Sequence, residues 1–126
     1  MPLVTLTVRK PKSLAFKSKI LDAVHAGLVA SGVPMNDRFH RVIELDAEDF
    51  RFDRSYPDVQ GERNEDFALV EILWSAGRSV KVKKKLLADI MTTLTQADLN
   101  PENIMIVFNE TTWESWSFAG GRLIHT

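Results

Sequence analysis

A single-domain α/β (α+β) fold, one four-stranded sheet with two helices on one face, is what this sequence predicts, and three observations predict it. Segments of period-two apolar alternation take turns with segments of helical spacing, the pattern of β-α-β units. The pattern occurs twice: at a shift of 67 residues Leu3 meets Val70, Pro34 meets Pro101 and Asn36 meets Asn103. A length of 126 residues suits one domain with a sizeable core and not two. The first β-α-β unit is expected at about residues 2–46, a connecting arm at 47–66, the second unit at 67–110 and a C-terminal aromatic segment at 111–126.

The elements follow in order. Alternation over residues 3–8 marks a strand that begins directly behind Met1-Pro2. Ser13 is a suitable N-cap for a helix carrying Leu14, Leu21, Val24 and Leu28 at helical spacing, and Gly32 is a natural stop. In the second strand Phe39, Arg41, Ile43 and Leu45 share one face, with His40, Val42 and Glu44 on the other. In the arm, Phe50 and Phe52 alternate with Arg51 and Asp53, which suits a short strand or an extension that docks onto a neighbour. Residues 57–65 read as a solvated loop. A third strand over 67–74, a helix over 80–96 with Val82, Leu86, Leu87, Ile90 and Leu94, and a strand over 104–108 complete the repeat. Right-handed crossovers place both helices on one sheet face. The other face lacks a cover, so a closed ring of subunits is expected to bury it.

Composition excludes several function classes. A formal net charge of −1 argues against nucleic acid as a partner, and there is no run of about twenty apolar residues to span a bilayer. With no pattern of a signal peptide, a cytoplasmic location is expected. The absence of cysteine removes thiolate chemistry and cysteine metal sites, and His25, His40 and His125 show no ligand spacing. Catalysis then falls to amines, guanidinium groups, carboxylates or hydroxyls.

Pro2 is the first candidate. Removal of Met1 would leave a secondary amine held rigidly at the root of a strand, and a free α-amino group titrates near pH 7.7–8.0, within reach of general acid–base work. An ordinary proline at the first residue of a strand is the competing reading. Arg78, in Gly77-Arg78-Ser79 before the second helix, offers a bidentate fork beside helix N-terminal amides for a carboxylate. The lysines at 81, 83, 84 and 85 sit where the helix dipole disfavours cations, a cost that a bound anion offsets; a solubilising lysine face accounts for them equally. Asp37 is a candidate proton acceptor or a turn residue that satisfies its own backbone. His25, on the face of Leu21 and Leu28, reads as a core histidine. Trp113, Trp116 and Phe118 are suited to walling a pocket or packing an interface. In a fully parallel sheet, Pro2 and Arg78 fall at opposite strand ends of one subunit, so they would meet only between subunits.

Pro2 behind the initiator, the tandem units, the segment Val33-Pro34-Met35-Asn36-Asp37-Arg38-Phe39, Gly77-Arg78-Ser79 and Trp116-Ser117-Phe118 together resemble the tautomerase superfamily, with the malonate semialdehyde decarboxylase-like branch closest. The likeness runs in order over nearly the whole chain. It implies a tautomerase-like (β-α-β)2 homotrimer that acts on small carboxylic acids without metal or organic cofactor. It implies Pro2 as general acid or base, Arg78 as the holder of the substrate carboxylate, Asp37 as the assisting carboxylate, and Trp116 and Phe118 as pocket walls. One position departs: the decarboxylases of this branch carry a second arginine where this chain has Ala76.

The resemblance implies that decarboxylation and hydration use two guanidinium groups and a cationic proline, whereas a single arginine and a neutral proline suit keto–enol tautomerisation. The expectation is therefore a cofactor-independent tautomerase of small 2-oxo or enol acids, with aryl substituents favoured by the aromatic segment. A decarboxylase or hydratase of the same fold is the alternative, and a noncatalytic trimeric binding protein is the third.

Overall fold

The computed structural model describes residues 2–124; His125 lies outside them. The elements run β1 (Leu3–Arg9), α1 (Leu14–Ala30), β2 (Phe39–Leu45), β3 (Ala68–Ser75), α2 (Val80–Gln96) and β4 (Ile104–Thr111). Both helices are 17 residues long, and each starts at a serine whose side chain accepts a backbone N–H three residues on: Ser13 from Phe16 and Ser79 from Val82. The repeat read from the sequence is thus a repeat of structure.

The strand order is β2-β1-β3-β4, with β1–β2 and β3–β4 parallel and the central pair β1–β3 antiparallel. Two identical β-α-β units can lie side by side by translation, which gives an all-parallel sheet, or by a two-fold rotation, which reverses the central pair. The chain takes the rotation. In that register Leu3 faces Leu73, so the amino end of β1 and the carboxyl end of β3 share one sheet edge. This corrects the expectation that Pro2 and Arg78 must come from different subunits: the turn bearing Arg78 leaves β3 on the edge where β1 begins.

The core lies between the helices and one sheet face. Val4, Leu6 and Val8 of β1 and Ala68, Val70, Ile72 and Trp74 of β3 pack against Ile20, Val24 and Leu28 of α1 and Leu86, Ile90 and Leu94 of α2. Each such aliphatic side chain contributes about 1.5–3 kcal/mol on burial. The stripe on α1 runs through Ile20, Val24 and Leu28 at four-residue spacing. Leu14, expected on it, is the first helical residue and stays 76% exposed.

Residues 47–66 form no strand beyond a single 3-10 turn at Ala47–Asp49, and they dock on their own subunit. The Phe52 ring stacks on Phe67 at 4.5 Å, Arg9 lies over Phe52 at 4.5 Å, and Arg9 Nε donates to the Phe50 carbonyl at 2.7 Å. Arg63 is buried inside the segment expected to be solvated and donates to the Asp53 carbonyl at 2.7 Å. Backbone carbonyls around one guanidinium give this polar stretch a fixed shape.

Candidate active site

Pro2 is buried immediately before β1, a position where a missing N–H costs the sheet nothing. It lines a cleft of about 210 Å³ together with Leu3, Asp37, Phe39, Trp116, Ser117 and Phe118. Four of the five expected site residues, Pro2, Asp37, Trp116 and Phe118, therefore come together. Most of the wall is apolar, with one carboxylate.

The turn from α1 to β2 delivers Asp37. Its N–H donates to the Pro34 carbonyl at 3.0 Å, and its side chain is only 7% exposed. Two contacts brace the turn from α1: His25 Nε2 donates to the Met35 carbonyl at 2.9 Å, and Arg38 pairs with Asp22. His25 is thus a structural anchor, as its helical face suggested. His40 meets it ring edge to ring face at 5.7 Å. Burial pulls the His40 pKa below its ordinary value, with Arg38 and His25 adding to the effect and Asp22 opposing it.

The aromatic wall follows the end of β4. After Thr111 a 3-10 turn, Trp113–Ser115, reverses the chain. The Trp116 indole Nε1–H then donates to Thr111 Oγ1 at 2.6 Å, and the Trp116 and Phe118 rings stack at 5.8 Å.

Arg78 is not among the residues lining the cleft. Gly77, at φ +117°, turns the chain out of β3 in a conformation few side chains adopt. Arg78 then folds back, with its guanidinium 4.2 Å from the Trp74 ring and Nη1 donating to the Ser75 carbonyl. Burial lowers its pKa from the ordinary value while Glu110 opposes the shift, and a guanidinium remains charged in any case. Glu110 is itself engaged by Lys83 at 2.8 Å, and among the described residues no carboxylate forms an ion pair with Arg78.

Leu3 and Phe39 line the cleft without having been singled out from the sequence. They are paired across β1 and β2, so their role depends on a register that single-strand patterns do not reveal. The signal available was adjacency: Leu3 follows Pro2, and Phe39 follows Asp37-Arg38. Among the described residues the only grouping with metal-ligand spacing is Asp46, Glu48 and Asp49, exposed and at the opposite end of β2 from the cleft.

Fold and cleft together define a β-α-β-repeat protein with a mostly apolar cleft, holding Pro2 and one carboxylate, at the head of its first strand. The chain belongs to the tautomerase enzyme family Tautomerase_2, whose model matches residues 37–119. Similar solved structures include the FG41 malonate semialdehyde decarboxylase inhibited by 3-bromopropiolate, at 24% identity and TM-score 0.86, over 96% of this chain and 92% of that one. Another malonate semialdehyde decarboxylase, described with decarboxylase and hydratase activities, is 22% identical with TM-score 0.85, over 96% and 93%. A fused 4-OT is 18% identical with TM-score 0.72, over 95% and 94%. At these identities the likeness is one of fold. Among curated proteins none matches the sequence. No helix among the described residues is long and apolar enough to cross a membrane.

Proposed function

We propose that the protein is a cofactor-independent keto–enol tautomerase of small 2-oxo and enol carboxylic acids, working in the cytoplasm as a homotrimer, with Pro2 as general base once Met1 is removed. The observation that carries this reading is the shared cleft of Pro2, Asp37 and two stacked aromatic rings. A neutral secondary amine there takes a proton from the carbon beside the carbonyl. The C–H electron pair becomes the C=C bond, and the carbonyl oxygen receives the proton back from the prolinium, so nothing is gained or lost overall. Asp37 assists at the carbonyl end. Arg78 turns from Trp74 to hold the substrate carboxylate, leaving the apolar wall to the rest of the molecule. The trimer is supported by an uncovered apolar sheet face and by a related fold solved as a symmetric trimer, the Q0 fused 4-OT.

A decarboxylase or hydratase reading is favoured by the TM-scores of 0.86 and 0.85 to malonate semialdehyde decarboxylases. Ala76 weighs against it, because a second guanidinium is missing where the leaving carboxylate would be handled. The deciding experiment is the intact mass of the purified protein, followed by a pH–rate profile for ketonisation of phenylenolpyruvate. The expected result is loss of one methionine and activity that rises through a single ionisation between about pH 6 and 8. Pro2→Ala should lower kcat/KM by roughly 10²-fold or more with the oligomer intact. Full-length mass without activity would point to processing or to a binding role, and loss of the methionine without activity would overturn the reading.

A further inference from the structure

We infer that Thr111 is a positioning residue that fixes the aromatic wall of the cleft to the strand end bearing Arg78, and so sets the fit of the substrate's non-acid end. The inference rests on the tautomerase reading above. Three hydrogen bonds meet on this residue. Its backbone carbonyl accepts the Ala76 N–H at 2.7 Å, where the chain enters the turn to Arg78. Its hydroxyl donates to the Trp74 carbonyl at 3.4 Å and accepts the Trp116 indole N–H at 2.6 Å. The bond to Trp74 is to the backbone of the strand end that leads to Arg78, and Trp116 is the ring in the cleft. One side chain therefore joins that strand end to the apolar side of the site.

The chemistry restricts what can stand here. Indole nitrogen only donates and a backbone carbonyl only accepts, so the linking atom has to do both at once, as a hydroxyl does. Threonine also has the β-branch that suits the end of a strand. Valine in its place keeps the shape and leaves the part-buried indole N–H without this acceptor, so the Trp116 ring loses its fixed orientation.

The test compares wild type, Thr111→Val and Thr111→Ser on phenylenolpyruvate and on enolpyruvate, which has no ring. Thr111→Val should raise KM for phenylenolpyruvate about five- to tenfold, the size of one hydrogen bond, while kcat and the pH profile stay put. KM for enolpyruvate should not move, and Thr111→Ser should restore the wild-type values. An equal rise for both substrates, an unchanged KM for phenylenolpyruvate, or no rescue by serine would overturn the inference. A second readout needs no activity: acrylamide should quench tryptophan emission more readily in Thr111→Val than in wild type, and the difference should vanish when both carry Trp116→Phe. Equal quenching refutes the positioning role. Altered quenching in a protein that ketonises neither substrate upholds the link to Trp116 and refutes the tautomerase reading instead.

Discussion

Arg78 is stored against Trp74 with its charge nearly unspent. The one acid that acts on it, Glu110, is held by Lys83, and a single donor goes to the Ser75 carbonyl. On the proposed reading, that guanidinium takes the substrate carboxylate without first breaking an ion pair. Arg78→Ala should therefore raise KM for phenylenolpyruvate roughly 10- to 100-fold, the range for hydrogen bonds to a charged group, and leave turnover of neutral carbonyl compounds alone. Steady-state kinetics on an acid and its methyl ester check this, and an equal loss on both would mean that Arg78 only shapes the turn. At this scale the sequence led to the cleft where a residue is locally unusual, a proline behind the initiator and a carboxylate in a short turn, whereas the arginine between glycine and serine lies outside the cleft lining. Leu3, Phe39 and Thr111 are ordinary strand residues, and they acquire their roles only where strand ends meet in space.

The elements were legible because their periodicities differ, two residues in the strands and about 3.6 in the helices. What periodicity does not encode is how two equal units are related, since translation and rotation bury the same stripes. The two-fold solution brings the carboxyl end of β3, with the turn that leads to Arg78, beside the amino end of β1. It also crosses α1 and α2 closely at Gly27, where an added Cβ would lie 2.9 Å from Ile90 Cγ1 and 2.9 Å from Leu86 Cδ1. Alanine gains about 1 kcal/mol over glycine within a helix. Here both obstructing side chains are fully buried, and overpacking costs about 1–3 kcal/mol. Gly27→Ala should accordingly lower the melting temperature, and Leu86→Ala, which removes the obstructing Cδ1, should cost less beside it than alone. A melting temperature raised by Gly27→Ala alone would show that the helices separate at little cost.

Across the whole molecule, the sheet has one face sealed by helices and another that carries Leu3, Phe39, Ile43, Leu73 and Met105. Of these, Phe39, Ile43 and Met105 are 56%, 37% and 41% exposed. Leu3 and Phe39 on that face are also cleft residues, so the surface that needs a cover is continuous with the site. A neighbouring subunit placed there would exclude water from the cleft, which keeps the Pro2 amine neutral and strengthens its interaction with charge developing at the carbonyl. On the proposed reading, assembly and catalysis are then one property. Wild type should sediment at three times the chain mass, and Ile43→Asp, which sets a carboxylate in each copy of the interface, should sediment as a monomer with unchanged helical circular dichroism. That folded monomer should lose ketonisation activity even though Ile43 does not line the cleft. A monomer that keeps full activity would mean that one subunit closes its own site, and a wild-type monomer would leave the apolar face to some other partner.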